Sequence, residues 1–317
     1  MYWMLGSDVM DLDRMILVPT KSRYELEVGR YGSESAAREM FGSEEVWDYI
    51  CGSHHAQKDN LAQVLKGLDD PYVIDRSQLT QDMIHDHDLF VFLGGDNHFT
   101  YCAQDILRYV QQNPGDDKLV SGIVLDPGKS AGALLYLDVD SFLGSIPLIR
   151  RDEFDVEHWT ALEVKISGGS GATRPFPAVC DYFIGEYGRL FMSRNRVYID
   201  GKEVFPDKSS GILIATGAGS CRGSWYDNIH NVMFGESDCF ANDADCASII
   251  LTEHASKSKA TLHKGQKFVI DSYNDAKGII APDSHEEHAA GFMIGCRAEI
   301  RISEYHLSIM KPGNPSI

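Results

Sequence analysis

The apolar residues of this chain come in short dense runs, separated by polar breaks that carry glycine or proline. Residues 89–93 read Leu-Phe-Val-Phe-Leu, five apolar positions in succession. Such a run suits a strand buried on both faces of a parallel sheet. Gly94, Gly95 and Asp96 follow at once. Beyond them Phe99, Cys102, Ala103, Ile106, Leu107 and Val110 fall at helical spacing with one apolar face. The stretch therefore predicts a strand, a tight glycine turn, an exposed carboxylate and a helix. Residues 15–19 and 119–125 read as further buried strands, and 72–74 as a short one. Residues 35–41 predict a short helix. Ser53 predicts the N-cap of another, in which Leu61, Val64, Leu65 and Leu68 share a face. This alternation predicts a three-layer α/β domain.

From Tyr136 onward the pattern changes. Leu162, Val164 and Ile166 alternate with polar residues, as in a half-buried strand. Residues 168–171, Gly-Gly-Ser-Gly, read as a flexible loop tip. Asp200-Gly201 separates 196–199 from 202–205 and predicts a hairpin, because this pair suits the primed turn that right-twisted strands need. Residues 248–251, 267–272, 278–281 and 298–303 add short strands at turn-punctuated spacing. With no long helical pattern among them, this half predicts an all-β domain. The expected divisions are 1–138, 139–297 and a closing segment 298–317.

Composition narrows the function classes. The 317 residues are 43% hydrophobic and 24% charged, within the globular range. A net charge of −18 argues against an extended nucleic-acid surface, while leaving room for a small basic pocket that takes a nucleotide. No apolar run approaches the ~18 residues of a membrane span. The opening Met1-Tyr2-Trp3-Met4-Leu5 lacks the basic and long apolar regions of a signal peptide. Seven cysteines without a C-x-x-C pair suit a reducing compartment, the cytoplasm, and neither a disulfide framework nor a zinc site. His85-Asp86-His87-Asp88 reads as a polar turn before a strand, and His54-His55 as exposed imidazoles at a helix N-terminus.

Three patches carry candidate chemistry. Gly94-Gly95-Asp96 is either an ordinary strand-to-helix loop or a phosphate turn, in which bare glycine N–H groups approach an anion beside a carboxylate. Residues 126–132 form a second glycine-containing loop, whose Lys129 either meets a phosphate or is solvated. Residues 209–220 run from a buried strand into Thr216-Gly217-Ala218-Gly219-Ser220. Its hydroxyls and bare amides are groups that phosphates and ribose bind, and the same pattern also makes a plain β-turn.

A Gly-Gly-Asp turn in the α/β half followed by two polar motifs in the β half, in that order, resembles the NAD kinase family over most of the chain. Gly94-Gly95-Asp96 resembles that family's Gly-Gly-Asp-Gly-Thr motif. Ala178-Val179-Cys180-Asp181 falls where its Ala-Leu-Asn-Glu/Asp motif is expected, and the stretch from Ser210 to Ser220 resembles its Asp-Gly…Thr-Pro-Thr-Gly-Ser segment. Lys21-Ser22-Arg23-Tyr24-Glu25, and Phe183-Ile184-Gly185 with Met192-Ser193-Arg194, are similar to a divergent long branch of the family. Residues 295–310 resemble its closing strands, which lead back to the first domain.

The resemblance implies phosphoryl transfer from ATP, or polyphosphate, to the adenosine-ribose 2′-hydroxyl of NAD, with Mg²⁺ accompanying ATP. Asp96 would be the base that takes the hydroxyl proton. Asp181 would accept ribose hydroxyls, and Thr216 and Ser220 would line the dinucleotide pocket. Gly94, Gly95, Gly217 and Gly219 would permit close backbone approach. Asn97, Cys180 and Ser210 complete the nucleotide-binding set, at positions that depart from the family pattern. Asn97-His98 stand where Gly-Thr is expected and add side chains to the phosphate turn, His98 being expected at the surface. Cys180 replaces an asparagine, and losing that hydrogen bond costs ~0.5–1.5 kcal/mol. Ser210 replaces an acid. These departures leave two alternatives open: a kinase of the same fold with another hydroxyl acceptor, and a non-catalytic NAD(P) sensor. The resemblance also implies a homo-oligomer, with neither a membrane nor a nucleic acid as partner.

Overall fold

The structure is a computed structural model that describes residues 11–130, 132–168, 174–188, 190–205, 208–275 and 277–312. The reading of the first five residues, Ala131 in the second glycine loop and 169–171 of the expected loop tip lie outside them.

The chain forms two compact units. The first comprises 11–102, 117–156 and the chain from Ile309, and the second comprises 103–116 and 157–308. The first begins with β1 (Met15–Pro19) and three helices, α1 (Arg23–Tyr31), α2 (Glu34–Phe41) and α3 (Glu44–Gly67). Then come β2 (Tyr72–Val73), α4 (Gln81–Asp86), β3 (Leu89–Gly94), α5 (Asp96–Gln112), β4 (Leu119–Val124) and α6 (Val139–Ile149). The strands lie in the order β2-β1-β3-β4, all parallel, with Leu17 opposite Val91 and Leu93 opposite Ile123. Every residue of β3 is buried. Leu89, Val91 and Leu93 enter one core with Phe142 and Met310, while Phe92 on the other face packs against Phe99 of α5 at 5.9 Å. The unbroken apolar run is thus explained by cover on both sides.

Three local readings are corrected here. α3 starts ten residues before the helix that Ser53 would cap, because Gly42 ends α2 at φ +60° and Ser43 caps the next amides ahead of Glu44 and Glu45. Ser53 sits inside α3 and donates to Asp126, and His54 there meets Ser22 Oγ at 2.7 Å instead of standing exposed at an N-terminus. The expected polar turn at 85–88 includes the last turn of α4.

The second unit is mostly β. Its strands are β5 (Phe154–Ser167), β6 (Asp181–Glu186), β7 (Ser193–Ile199), β8 (Lys202–Glu203), β9 (Lys208–Ser209) and β10 (Ile212–Ala215). After α7 (Trp225–Phe234) come β11 (Cys246–Leu251), β12 (Lys259–His263), β13 (Phe268–Ser272), β14 (Gly278–Pro282), β15 (Ala290–Gly291) and β16 (Arg297–Pro312). β5 begins in the first unit, and α5 and β16 likewise have residues in both. An antiparallel sheet runs β12-β11-β10-β6-β14-β15. The hairpin at Asp200-Gly201 forms, with φ of +48° and +80°, and pairs Ile199 with Lys202.

The second half is built of β-sheet as expected, and it carries one helix of its own, α7. Along β10, Ile212 and Ile214 enter the main core, whereas Leu213 and Ala215 face a second cluster with Tyr226, Ile250, Trp225 and Ile229. Both faces of β10 need cover, and α7 covers one. The cysteine reading is corrected. Cys221 and Cys239, 18 residues apart with Cα atoms 4.9 Å from each other, form a disulfide that spans α7, and the other five cysteines are free.

Candidate functional site

In the first unit the candidate chemistry gathers at the carboxyl end of β3. Gly94 ends the strand and Asp96 opens α5, half-buried. Both oxygens of Asp96 accept main-chain N–H groups from the loop after β4: Ala133 donates to Oδ2 at 3.1 Å and Leu134 to Oδ1 at 2.8 Å. This orients the carboxylate and ties down the loop. Each oxygen keeps a further lone pair that can take a proton. The glycines sit in close packing against side chains of the same unit. A Cβ on Gly94 would lie 2.9 Å from Thr20 Cγ2, and one on Gly95 2.9 Å from Ser130 Oγ.

Asn97 is exposed, but His98 is not. Its ring turns inward, Nε2–H donates to the Val18 carbonyl at 2.8 Å, and burial pushes the imidazole down to about 4. The histidine expected at the surface is a neutral core residue and adds no side chain to the turn after Asp96. Lys129 lies 3.2 Å from the centre of the Tyr49 ring and donates to the Tyr49 carbonyl, so within this unit it has a partner other than solvent.

In the second unit, the 216–220 loop leaves β10 and packs on residues 179–181 ahead of β6. Thr216 N–H donates to the Cys180 carbonyl at 2.8 Å, and its hydroxyl to the Val179 carbonyl at 2.7 Å. Ser220 Oγ donates to the Gly217 carbonyl at 2.8 Å and accepts Phe240 N–H at 3.2 Å. Both side chains are fully buried, so their hydroxyls hold the loop's own shape. A Cβ on Gly217 would lie 1.9 Å from the Ala241 carbonyl oxygen, and one on Gly219 2.2 Å from that of Cys180. Glycine is demanded there by neighbouring main chain. Ser210 sits half-buried at the opposite end of β10 from Thr216, roughly 20 Å away at ~3.3 Å per residue. The structure brings Cys180, Asp181, Thr216, Gly217, Gly219 and Ser220 together and leaves Ser210 apart.

Asp181 is 4% exposed, and its Oδ1 has no hydrogen-bond partner. Burial, with Asp283 nearby, pushes its carboxyl up to about 8. Asp283, Gln104 and His288 also belong to this cluster, and sequence reading did not find them. Among the described residues no group of three His, Cys, Asp or Glu side chains could hold a metal ion, and no helix is long and apolar enough to cross a membrane.

Comparison with solved structures places this architecture. The yeast NADH kinase complexed with NADH superposes with a TM-score of 0.63 at 14% identity, over 96% of this chain and 84% of that one. An NAD kinase from Archaeoglobus fulgidus in complex with ATP superposes with a TM-score of 0.58 at 17% identity, over 94% of each chain. The fold is that of the NAD kinases. By sequence, the chain is 29% identical over 133 residues to the NAD kinase of Photorhabdus laumondii subsp. laumondii. That match spans 42% of this chain and 42% of the relative, less than half of either. No family model matches. The α/β unit and the mostly-β unit of this chain are consistent with that fold.

Proposed function

We propose that the chain is an NAD kinase that transfers a phosphoryl group from ATP to the adenosine-ribose 2′-hydroxyl of NAD, yielding NADP. The observation that carries this reading is the setting of Asp96. A half-buried carboxylate stands at the start of α5, directly after two glycines, oriented by the amides of Ala133 and Leu134. In the proposed reaction Asp96 takes the proton of the 2′-hydroxyl as that oxygen attacks the terminal phosphorus of ATP, and ADP leaves. The α5 N-terminus and Gly94-Gly95 supply positive main-chain dipoles for phosphate. Asp181 and the 216–220 loop serve the dinucleotide. Mg²⁺ arrives with ATP as part of the substrate, since this ion keeps several waters and is commonly held by phosphates with one or two carboxylates.

The NADH and ATP named for the two solved relatives, and the activity named for the Photorhabdus protein, support the choice of substrates. The inward turn of His98, whose ring hydrogen-bonds Val18, removes one of the two side chains that motivated a non-catalytic sensor, the other being the exposed Asn97. The test is incubation of micromolar protein with ATP, Mg²⁺ and NAD, with NADP read by an NADP-specific dehydrogenase. NADP formation that Asp96→Asn abolishes, with the variant's melting curve still cooperative, supports the reading. Absence of NADP from the unaltered protein rejects it. Sedimentation velocity tests the homo-oligomer that we expect.

A further inference from the structure

Asp283 follows β14 in the left-handed region, at φ +49°, and is 7% exposed. Its carboxylate collects four N–H donors. Oδ1 accepts the amides of Cys180 at 2.7 Å and Asp181 at 3.0 Å. Oδ2 accepts the amide of Val179 at 3.0 Å and Gln104 Nε2 at 2.6 Å. Three consecutive main-chain amides thus converge on one side chain. The carbonyls of Val179 and Cys180 are taken by Thr216, so the segment is held from both sides. Gln104 is itself fixed, since its Oε1 pairs with His288 Nδ1 and that ring stacks on Phe176 at 3.8 Å.

Only a carboxylate fits this role. It accepts at every lone pair and carries no proton to oppose four donors, whereas an asparagine of the same shape would turn an NH₂ group toward two of them. Beside this saturated group, Asp181 keeps a buried carboxyl oxygen with no partner, the kind of atom that a bound ligand completes.

We propose that Asp283 is a positioning residue for dinucleotide recognition: it fixes the main chain of residues 179–181 and so holds the unpartnered carboxyl of Asp181 ready beside the 216–220 loop. The inference rests on the reading of Asp181 as a dinucleotide contact, and it assigns a role to a residue outside every motif that suggested the function.

The test compares the full-length protein with Asp283→Asn and Gln104→Leu, measuring dissociation constants for NAD and ATP by calorimetry and KM and kcat for each. Disturbing a hydrogen bond to a charged group by Asp283→Asn is expected to raise the NAD constant and KM tenfold or more, at about 1.4 kcal/mol per tenfold. ATP constants should stay within about twofold, because the contacts altered are those of 179–181. Gln104→Leu keeps the carboxylate and its three amides, so a rise of about threefold is expected. If Asp283→Asn does not fold, Gln104→Leu decides alone. NAD affinity unchanged in the folded variants, or NAD and ATP weakened alike, overturns the proposal. Hydrogen exchange separates this failure from that of the kinase reading. If the unaltered protein binds no dinucleotide, the kinase reading fails. The anchoring claim then stands or falls on whether the variants lose protection at the amides of Val179, Cys180 and Asp181 while β10 keeps its own.

Discussion

The Asp181 amide donates to Asp283 Oδ1 at 3.0 Å, and the Asp283 amide donates back to the Asp181 carbonyl at 2.8 Å. Two buried carboxyl groups are therefore held on adjacent, mutually hydrogen-bonded segments, so that Asp181 would ionise beside the Asp283 carboxylate. Burial, then the neighbouring charge, hold Asp181 up at about 8, against 3.8 ordinarily. Between these values the unfolded chain has lost a proton that the folded one keeps, so this group makes stability fall as pH rises. Asp181→Asn should remove that slope. Urea unfolding should find the variant more stable than the unaltered protein at pH 8 and near parity at pH 4, and parity at both would contradict the assignment.

His98 works in the opposite direction. Burial lowers it from 6.5 to about 4, so between these values the unfolded chain binds a proton that the folded one refuses. Its contribution is present above pH 6.5 and is lost as pH falls toward 4, by up to about 3 kcal/mol. His98→Gln should flatten the acid limb of the stability curve. An acid limb identical to that of the unaltered protein would show that His98 titrates freely.

The Cys221–Cys239 bond predicts a thiol count. Of seven cysteines five are free, so denatured, unreduced protein should take five alkyl groups by mass spectrometry and reduced protein seven. Closing a loop of this length stabilises by about 3 kcal/mol in the chain-entropy account. Cys221→Ser with Cys239→Ser should lose about that much in denaturant unfolding. Seven alkyl groups before reduction would place the pair as thiols.

Glycine substitutions should divide by surroundings. Gly217→Ala puts a methyl group 1.9 Å from the Ala241 carbonyl oxygen, against main chain that is itself hydrogen-bonded, and should destabilise by about 1–3 kcal/mol or more. Gly29, inside α1 with nothing within 4 Å of its Cβ position, should gain up to about 1 kcal/mol on replacement by alanine. Thermal melts of the two variants read the contrast directly, and shifts of the same sign would count against it.

Much of the local structure was legible in the residues. The five-residue apolar run of β3, the Asp200-Gly201 turn and the alternation in β5 each state their element, because burial on two faces, positive φ and period-2 exposure leave marks on adjacent positions. α7 left marks too, Ser224 ahead of it and Gly235 after it at φ +79°. They gain weight only once β10 is seen to need cover on its second face. Ser43 and Ser53 are both good caps in isolation, and the acids at Glu44 and Glu45 separate them.

What the chain alone determined is most of the buried strands, the α5 helix after the first of them to carry chemistry, and that the Gly-Gly-Asp and Thr-Gly-Ala-Gly-Ser turns end buried strands. What folding decided is which of the candidate side chains the protein engages for itself. His98 turned into the core, and the hydroxyls of Thr216 and Ser220 were taken up by nearby carbonyls. Asp283 reached Gln104 across 179 residues of sequence. Hydrogen-bond partners so distant follow from strand pairing such as Pro282 opposite Tyr182, and a local pattern of residues carries no record of them.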